Sequence, residues 1–362
     1  MYVIHHRTGV IAFAFLVVHP LVLSFQFATD SFEDVSSFLS PIGNTTPITF
    51  GILSILSMLV LLFVTFYGSY FQYPTLKLAH RFLGAAFFLG FIHVFLIPSS
   101  LSSDMVLKVS LLSTCIVGLL VFSYRTLFGK LSVSRFEYVV TSVVPIAGGI
   151  TEINLLTSSL KRLYHLPGQF GILSFPKSSH VSQEEHPFTI SSAGKDGKLR
   201  FSIKGLGDYT NAVAEMKVGE KARVEGPFGE FCFLYGKQKQ VWVAGGVGVT
   251  PFVSMAEYMM SLDTLPYNIV FYYSIRTEQD GAYKELFTEV AKKHSSFVFH
   301  CMPSDTKGYI TGQLLLTDNA DLESRDVYIC GPPLMMEGLA TQLLTLKVPK
   351  KNIHIEKFSL LK

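Results

Sequence analysis

VAGGVGVTPFVSM, residues 243–255, opens on an apolar run of β type, turns through glycines and enters an apolar pattern of helical period. Gly245, Gly246 and Gly248 let the backbone approach a ligand with no Cβ in the way. Thr250 is placed to cap the helix and Pro251 suits its first turn, so the free N–H groups there face an anion such as a pyrophosphate. The spacing is not a strict GxGxxG, and a plain strand–turn–helix stays open on this stretch alone. Outward from it, strands alternate with helices: QVWVAGG into PFVSMAEYMM, NIVFYYSI into AYKELFTEVAKKH, FVFHCMP, then DVYICG into LMMEGLATQLL. That order predicts a parallel α/β sheet over residues 237–362, with nucleotide sites at the strand C-termini.

Two further stretches belong to this sheet. YICGPPLM, residues 328–335, is a second strand end whose Cys330, Gly331 and Pro332 open a helix where the other half of a dinucleotide would lie. Cys330 is either a small polarizable contact for a nicotinamide or a buried core cysteine. In YYSIRTEQD, Ser274 and Arg276 stand where an NAD site usually presents an acid to the ribose. A hydroxyl and a guanidinium suit a 2′-phosphate and favour NADPH over NADH, although Arg276 is equally placed to pair with Glu278 or Asp280 at the surface.

Upstream, residues 131–236 read as short β-rich runs broken by Gly and Pro (FEYVVTSVV, EINLLTS, QFGILSF, PFTISSA, KLRFSIK, KARVEGPFG), the pattern of a small antiparallel barrel. Its candidate ligand residues are His186, Pro187, Phe188 and Thr189 at a strand end, and Lys204, Gly205 and Thr210 in IKGLGDYT, a basic residue plus glycine turn able to hold a phosphate. Spacing alone leaves an ordinary surface loop open for either segment.

The chain has 362 residues, room for two or three domains, and its formal net charge of +3 implies no nucleic-acid partner. Hydrophobic residues make up 49% and charged residues 16%, with mean hydropathy +0.38, too apolar for an ordinary soluble enzyme and incompatible with disorder. Residues 1–130 hold only ten charged side chains: Arg7, Asp30, Glu33, Asp34, Lys77, Arg81, Asp104, Lys108, Arg125 and Lys130. A membrane half is therefore joined to a soluble half. Four scattered cysteines without a CxxC indicate neither a disulfide framework nor a cysteine metal site.

Four apolar stretches, roughly residues 5–28, 47–71, 76–97 and 106–128, are long enough for a hydrocarbon core that needs about 20 helical residues. The first is alternatively a signal peptide, but no A-x-A cleavage site follows it and three further spans do. Arg7, Lys77, Arg81, Arg125, Lys130 and Arg135 lie at one set of helix ends, while the opposite loops hold Asp30, Glu33, Asp34 and Asp104. The N-terminus and the soluble half are thus expected on the cytoplasmic side.

Intramembrane ionisable side chains are costly and mark function. His5 and His19 are 14 residues apart on the first span, about 40° in azimuth and about 21 Å along the axis. His80 and His93 repeat the theme on the third, 13 apart, though an ideal helix turns that pair about 140° from each other. Two parallel helices so equipped would clamp two planar cofactors, His5 pairing with His80 and His19 with His93 as axial imidazoles to haem iron; His6 competes with His5. Helix-end histidines bonded to backbone, or proton-relay groups, are the plainer alternative.

HHRTGVIAFAFLVVHP and HRFLGAAFFLGFIHVFLIP resemble the two haem-bearing helices of the ferric reductase and NADPH oxidase superfamily. In that family the third and fifth of six transmembrane helices each carry such a histidine pair and together bind two b haems. Gly9 aligned with the family's H-R-x-x-G pattern favours His5 over His6. The chain departs from the family by beginning at its third helix; either about two helices precede these residues or this is a four-span member. PGQF, HPFT, KGLGDYT, GPFG, AGGVGVTPF, CGPP and EKFSL likewise follow the order of ferredoxin–NADP reductase-like modules. The resemblance implies Phe188 and Thr189 along the flavin ring, Thr189 toward its reactive nitrogen, and His186, often Arg in the family, with Lys204 near the phosphate portion of FAD. It also implies that Phe358 covers the ring where nicotinamide docks, with Thr189, Cys330 and Phe358 at the reacting centre.

The expected architecture is a multidomain membrane protein: an all-α transmembrane b-haem bundle over 1–130, an antiparallel FAD barrel over 131–236 and a Rossmann-like NAD(P)H domain over 237–362. NADPH, FAD and two haems would pass electrons across the bilayer to a small-molecule acceptor, ferric iron or dioxygen. The alternatives are a membrane-anchored flavin reductase without haem, and an electron-relay subunit donating to a quinone or periplasmic partner.

Overall fold

A computed structural model describes residues 2–25, 32–66, 73–97, 105–128, 134–194 and 197–357. The chain forms two compact units, residues 1–132 and 133–362. The first is helical: α1 (Tyr2–Ser24), α2 (Phe32–Leu39), α3 (Thr46–Phe66), α4 (Tyr73–Leu96) and α5 (Met105–Ser123), the last running into a π turn, Tyr124–Phe128. Among the described residues three helices are long and apolar enough to cross a membrane, over Thr46–Thr65, Leu78–Leu96 and Met105–Thr126. Among the same residues α1 contributes a shorter apolar stretch, Thr8–Ser24, and the end of the expected first span lies outside them.

Small residues let α4 approach its neighbours, as in helices that pack without a hydrophobic driving force. Ser54 on α3, 4% exposed, donates its hydroxyl to the Ala86 carbonyl at 2.8 Å. A β-carbon on Gly90 would stand 3.1 Å from the Ser54 hydroxyl, and one on Gly84 would overlap the Phe122 ring of α5.

The second unit begins with six strands, β1 (Arg135–Ile146), β2 (Ile150–Thr157), β3 (Phe170–Ser174), β4 (His186–Thr189), β5 (Lys198–Lys204) and β6 (Lys221–Phe228), in antiparallel order β4-β3-β6-β1-β2-β5. An Ile190–Phe201 bridge joins the two edge strands and closes the sheet into a barrel. Alternate residues of these strands, Val140, Ile153, Leu155, Phe201 and Val224 among them, fill its interior. A short helix, α6 (Asp208–Ala212), follows β5.

The rest is a five-stranded parallel sheet: β7 (Lys239–Gly245), α7 (Thr250–Met260), β8 (Asn268–Ile275), α8 (Lys284–Lys293), β9 (Phe297–Pro303), α9 (Gly312–Asp318), β10 (Asp326–Cys330), α10 (Pro333–Thr345) and β11 (Ile353–Glu356). Its order, β11-β10-β7-β8-β9, reverses direction between β7 and β10. Trp242 and Ala244 face the cluster under α7 and α8, whereas Val241 and Val243 face that under α9 and α10, so this strand is buried on both sides. Neither α9 nor β11 has a counterpart in the expected element order.

Candidate functional site

In an open α/β sheet ligands bind outside the strand carboxyl ends where the order reverses, here between β7 and β10. GGVG and CGPP meet at that point. A β-carbon on Gly331 would stand 3.1 Å from the Gly245 Cα, one on Gly245 2.9 Å from the Pro332 ring, and one on Gly248 would overlap the Cys330 carbonyl oxygen. Gly245 and Gly248 thus admit the neighbouring strand end. Gly246, at φ 51° with open space above it, is the glycine left to face a phosphate.

Thr250 does not cap the helix. A 3₁₀ turn, Gly246–Val249, precedes α7, so Thr250 is already helical (φ −56°, ψ −42°) and buried, and Val249 occupies the cap position. Pro251 lies in the first turn, where its absent N–H costs nothing. Ser274 is half-buried near the end of β8, and Arg276 is exposed just beyond it. The surface partners expected for Arg276 are otherwise engaged: Glu278 pairs with Lys284 at 2.7 Å, and Asp280 accepts bonds from the Thr277 N–H and hydroxyl. Those bonds, with the charges of Lys204 and Arg276, hold Asp280 below the usual carboxylate range.

Cys330 is fully buried and lies in register with Glu356 on β11. Burial, with the Glu356 charge beside it, pushes the thiol up; burial raises the Glu356 carboxyl to about 7. Glu356 was not among the residues singled out, although its motif, EKFSL, was. Phe358 lies outside the described residues.

On the barrel, His186, Pro187 and Phe188 are half-buried on β4, and Thr189 is buried opposite Phe170 on β3. His186 packs on Tyr209 with ring centroids 3.9 Å apart, and Phe188 stacks on Tyr209 at 6.3 Å. Tyr209 is the residue of GDYT that sequence reasoning passed over. Its buried hydroxyl has no hydrogen-bond partner among the described residues, and burial with the nearby Glu184 carboxylate pushes it up. An aromatic cluster with one unsatisfied buried hydroxyl fits the edge of a flavin that offers a polar atom.

Lys204 ends β5 opposite Ile150, and the Gly205 N–H donates to the Gly149 carbonyl at 3.2 Å. Thr210 is spent on its own loop: its hydroxyl accepts from the N–H groups of Leu206 and Gly207, at 2.8 and 3.0 Å, and donates to the Gly207 carbonyl. It shapes the turn and is not free to hold a phosphate.

In the helical unit, the rings of His5 and His80 are 6.0 Å apart, centroid to centroid, at 74°. His19 and His93 lie within electrostatic reach of each other. His93 Nδ1 is 2.8 Å from the Pro47 carbonyl oxygen of α3. The His6 side chain lies outside the described residues, which contain no cluster of three or more His, Cys, Asp or Glu able to hold a bare metal ion.

Residues 142–263 match the family model described as FAD-binding domain, and residues 242–341 the one described as oxidoreductase NAD-binding domain. The chain is 25% identical over 263 residues to the reductase component of propane 2-monooxygenase from Rhodococcus jostii (strain RHA1), covering 68% of this chain and 70% of that protein. It is 25% identical over 242 residues to the electron transfer component of toluate 1,2-dioxygenase from Pseudomonas putida, covering 64% and 69%. With one component of the Na⁺-translocating NADH-quinone reductase of Marinomonas sp. (strain MWYL1), 29% identity extends over 164 residues, 42% of this chain and 40% of that one. Among solved structures, the FAD/NAD-binding domain of a nitric oxide dioxygenase from Vibrio cholerae shares the fold with TM-score 0.53 and 22% identity, covering 61% of this chain and 97% of that one. The Amycolatopsis cytochrome P450 reductase GcoB does so with TM-score 0.54 and 21% identity, covering 62% and 70%.

Proposed function

We propose that this chain, whose residues 142–263 and 242–341 match FAD-binding and oxidoreductase NAD-binding domains, is a transmembrane NAD(P)H-dependent oxidoreductase. It moves electrons from cytoplasmic NADPH through FAD and two b haems to an acceptor across the membrane, ferric iron or dioxygen, the latter giving superoxide. The observation that carries the reading is the adjacency of the His5 and His80 rings, with His19 and His93 within electrostatic reach of each other, on two helices joined to such a module. Imidazole is a donor that haem iron takes, and the His5 and His80 rings, 6.0 Å apart, would supply such a pair. When bound, FAD takes the electron pair of a hydride and haem iron takes electrons singly, which lets a two-electron donor feed a one-electron wire.

The chain's own residues hold and orient. His186, Phe188 and Tyr209 offer the flavin an aromatic bed, with Thr189 buried at its edge. Gly246 gives a pyrophosphate access to backbone, and Ser274 with Arg276 recognises a 2′-phosphate, which favours NADPH. Cys330 and Glu356 line the nicotinamide end, where a carboxyl titrating at about 7 keeps or releases a proton at working pH. Helices α1, α3, α4 and α5 span the bilayer with the soluble half on the cytoplasmic side, as the basic residues at their ends favour.

A second reading is an electron relay to a partner protein. It is favoured by the similarity to proteins named as electron transfer components of dioxygenases. A reduced-minus-oxidised visible spectrum of the anaerobic, detergent-purified chain, with NADPH as reductant, tests both. Two haems per FAD, lost in steps on His19→Ala and on His5→Ala, are expected. FAD reduction without any haem signal would sink the wire, and haem reduction with no turnover of ferric chelates or oxygen would favour the relay.

A further inference from the structure

We infer that α3 supplies the positioning groups for His93 as an iron ligand, namely the Pro47 carbonyl and the bare backbone of Gly51, an inference that rests on the haem reading above. His93 Nδ1 lies 2.8 Å from the Pro47 oxygen. A carbonyl oxygen can only accept, so Nδ1 carries the proton, and Nε2 is the nitrogen this contact leaves for a ligand. This bond commits His93 to the tautomer that ligates through Nε2 and strengthens that nitrogen as a donor.

Gly51 makes the bond possible. A β-carbon there would stand 2.8 Å from His93 Nδ1, 3.0 Å from Cε1 and 3.2 Å from Cγ, so the imidazole would have to move from its place against the Pro47 carbonyl. One turn along the same seam, the Ser54 bond to Ala86 and the contact of Gly90 with Ser54 set how closely α3 approaches α4. The 13-residue spacing supplies the need. His80 and His93 point about 140° apart on an ideal helix, so α1 alone cannot orient both; α3 orients the second.

Full-length protein carrying Gly51→Ala tests this by haem stoichiometry, low-spin electron paramagnetic resonance and a potentiometric titration of each haem. Alanine favours helix over glycine, so a loss of haem would not report a lost helix. One haem of the two is expected to lose its bis-imidazole signal or to be absent, with the His5/His80 haem unchanged. Gly90→Ala perturbs the seam without meeting the ring and is expected to leave both potentials in place. The same loss with Gly90→Ala as with Gly51→Ala would assign the effect to helix spacing and overturn the inference. Two haems in the unaltered protein, with both signals unmoved by Gly51→Ala, would overturn the positioning role alone; an unaltered protein without haem would overturn the haem reading with it.

Discussion

The Glu356 carboxyl stands opposite Cys330 at the paired ends of β11 and β10, where burial rather than any charged neighbour lifts it to about 7. A carboxyl whose folded value exceeds its unfolded value of about 4.3 leaves stability intact below the unfolded value, and that stability is lost as pH rises through the folded one. Residues 133–362 should therefore lose stability progressively between about pH 4 and about pH 7, and Glu356→Gln, which cannot ionise, should flatten that slope. Denaturant unfolding at the two pH values measures it, and an unchanged slope in the variant would remove Glu356 from the account. Cys330 was legible as a motif residue because CGPP is local. Glu356 was not, because its burial comes from pairing with a strand 26 residues away in register. The same holds for Tyr209 on α6, whose partner His186 lies on β4.

Among the elements, all six barrel strands and the first four strands of the parallel sheet follow from alternation and apolar runs read in the sequence. Short α9 and edge strand β11 have no such signature and form because they pack against α10 and β10. The start of α7 differs from expectation for a related reason. Gly246–Val249 coil into a 3₁₀ turn, and the helix begins inside the core, with Thr250 buried. Gly248 is the element's most constrained point, since a side chain there meets the Cys330 backbone, which cannot rotate away. Gly248→Ala is expected to cost about 1–3 kcal/mol and to slow flavin reduction by NADPH, with FAD still bound. Unfolding and stopped-flow reduction would read both; unaltered values would mean that the two strand ends are not packed as described.

At the scale of the whole molecule, the proposed topology puts the loop containing Ile42, 83% exposed, on the outer side of the membrane. An impermeant thiol reagent added to intact cells should label Ile42→Cys, while external protease leaves residues 133–362 uncut; the reverse pattern would invert the direction of electron flow. The sequence by itself determined the division into an apolar and a charged half, the element types, the glycine-rich strand ends and the four histidines. Each of these is a property of composition or of a repeat within one segment. Only the tertiary structure decided which ends meet: the order β11-β10-β7-β8-β9 that brings Gly245 against Gly331, the pairing of Glu356 with Cys330, and the docking of His93 on α3 instead of along the line of His80. Those contacts join residues far apart in the chain, selected by packing and strand pairing, and no local period records them.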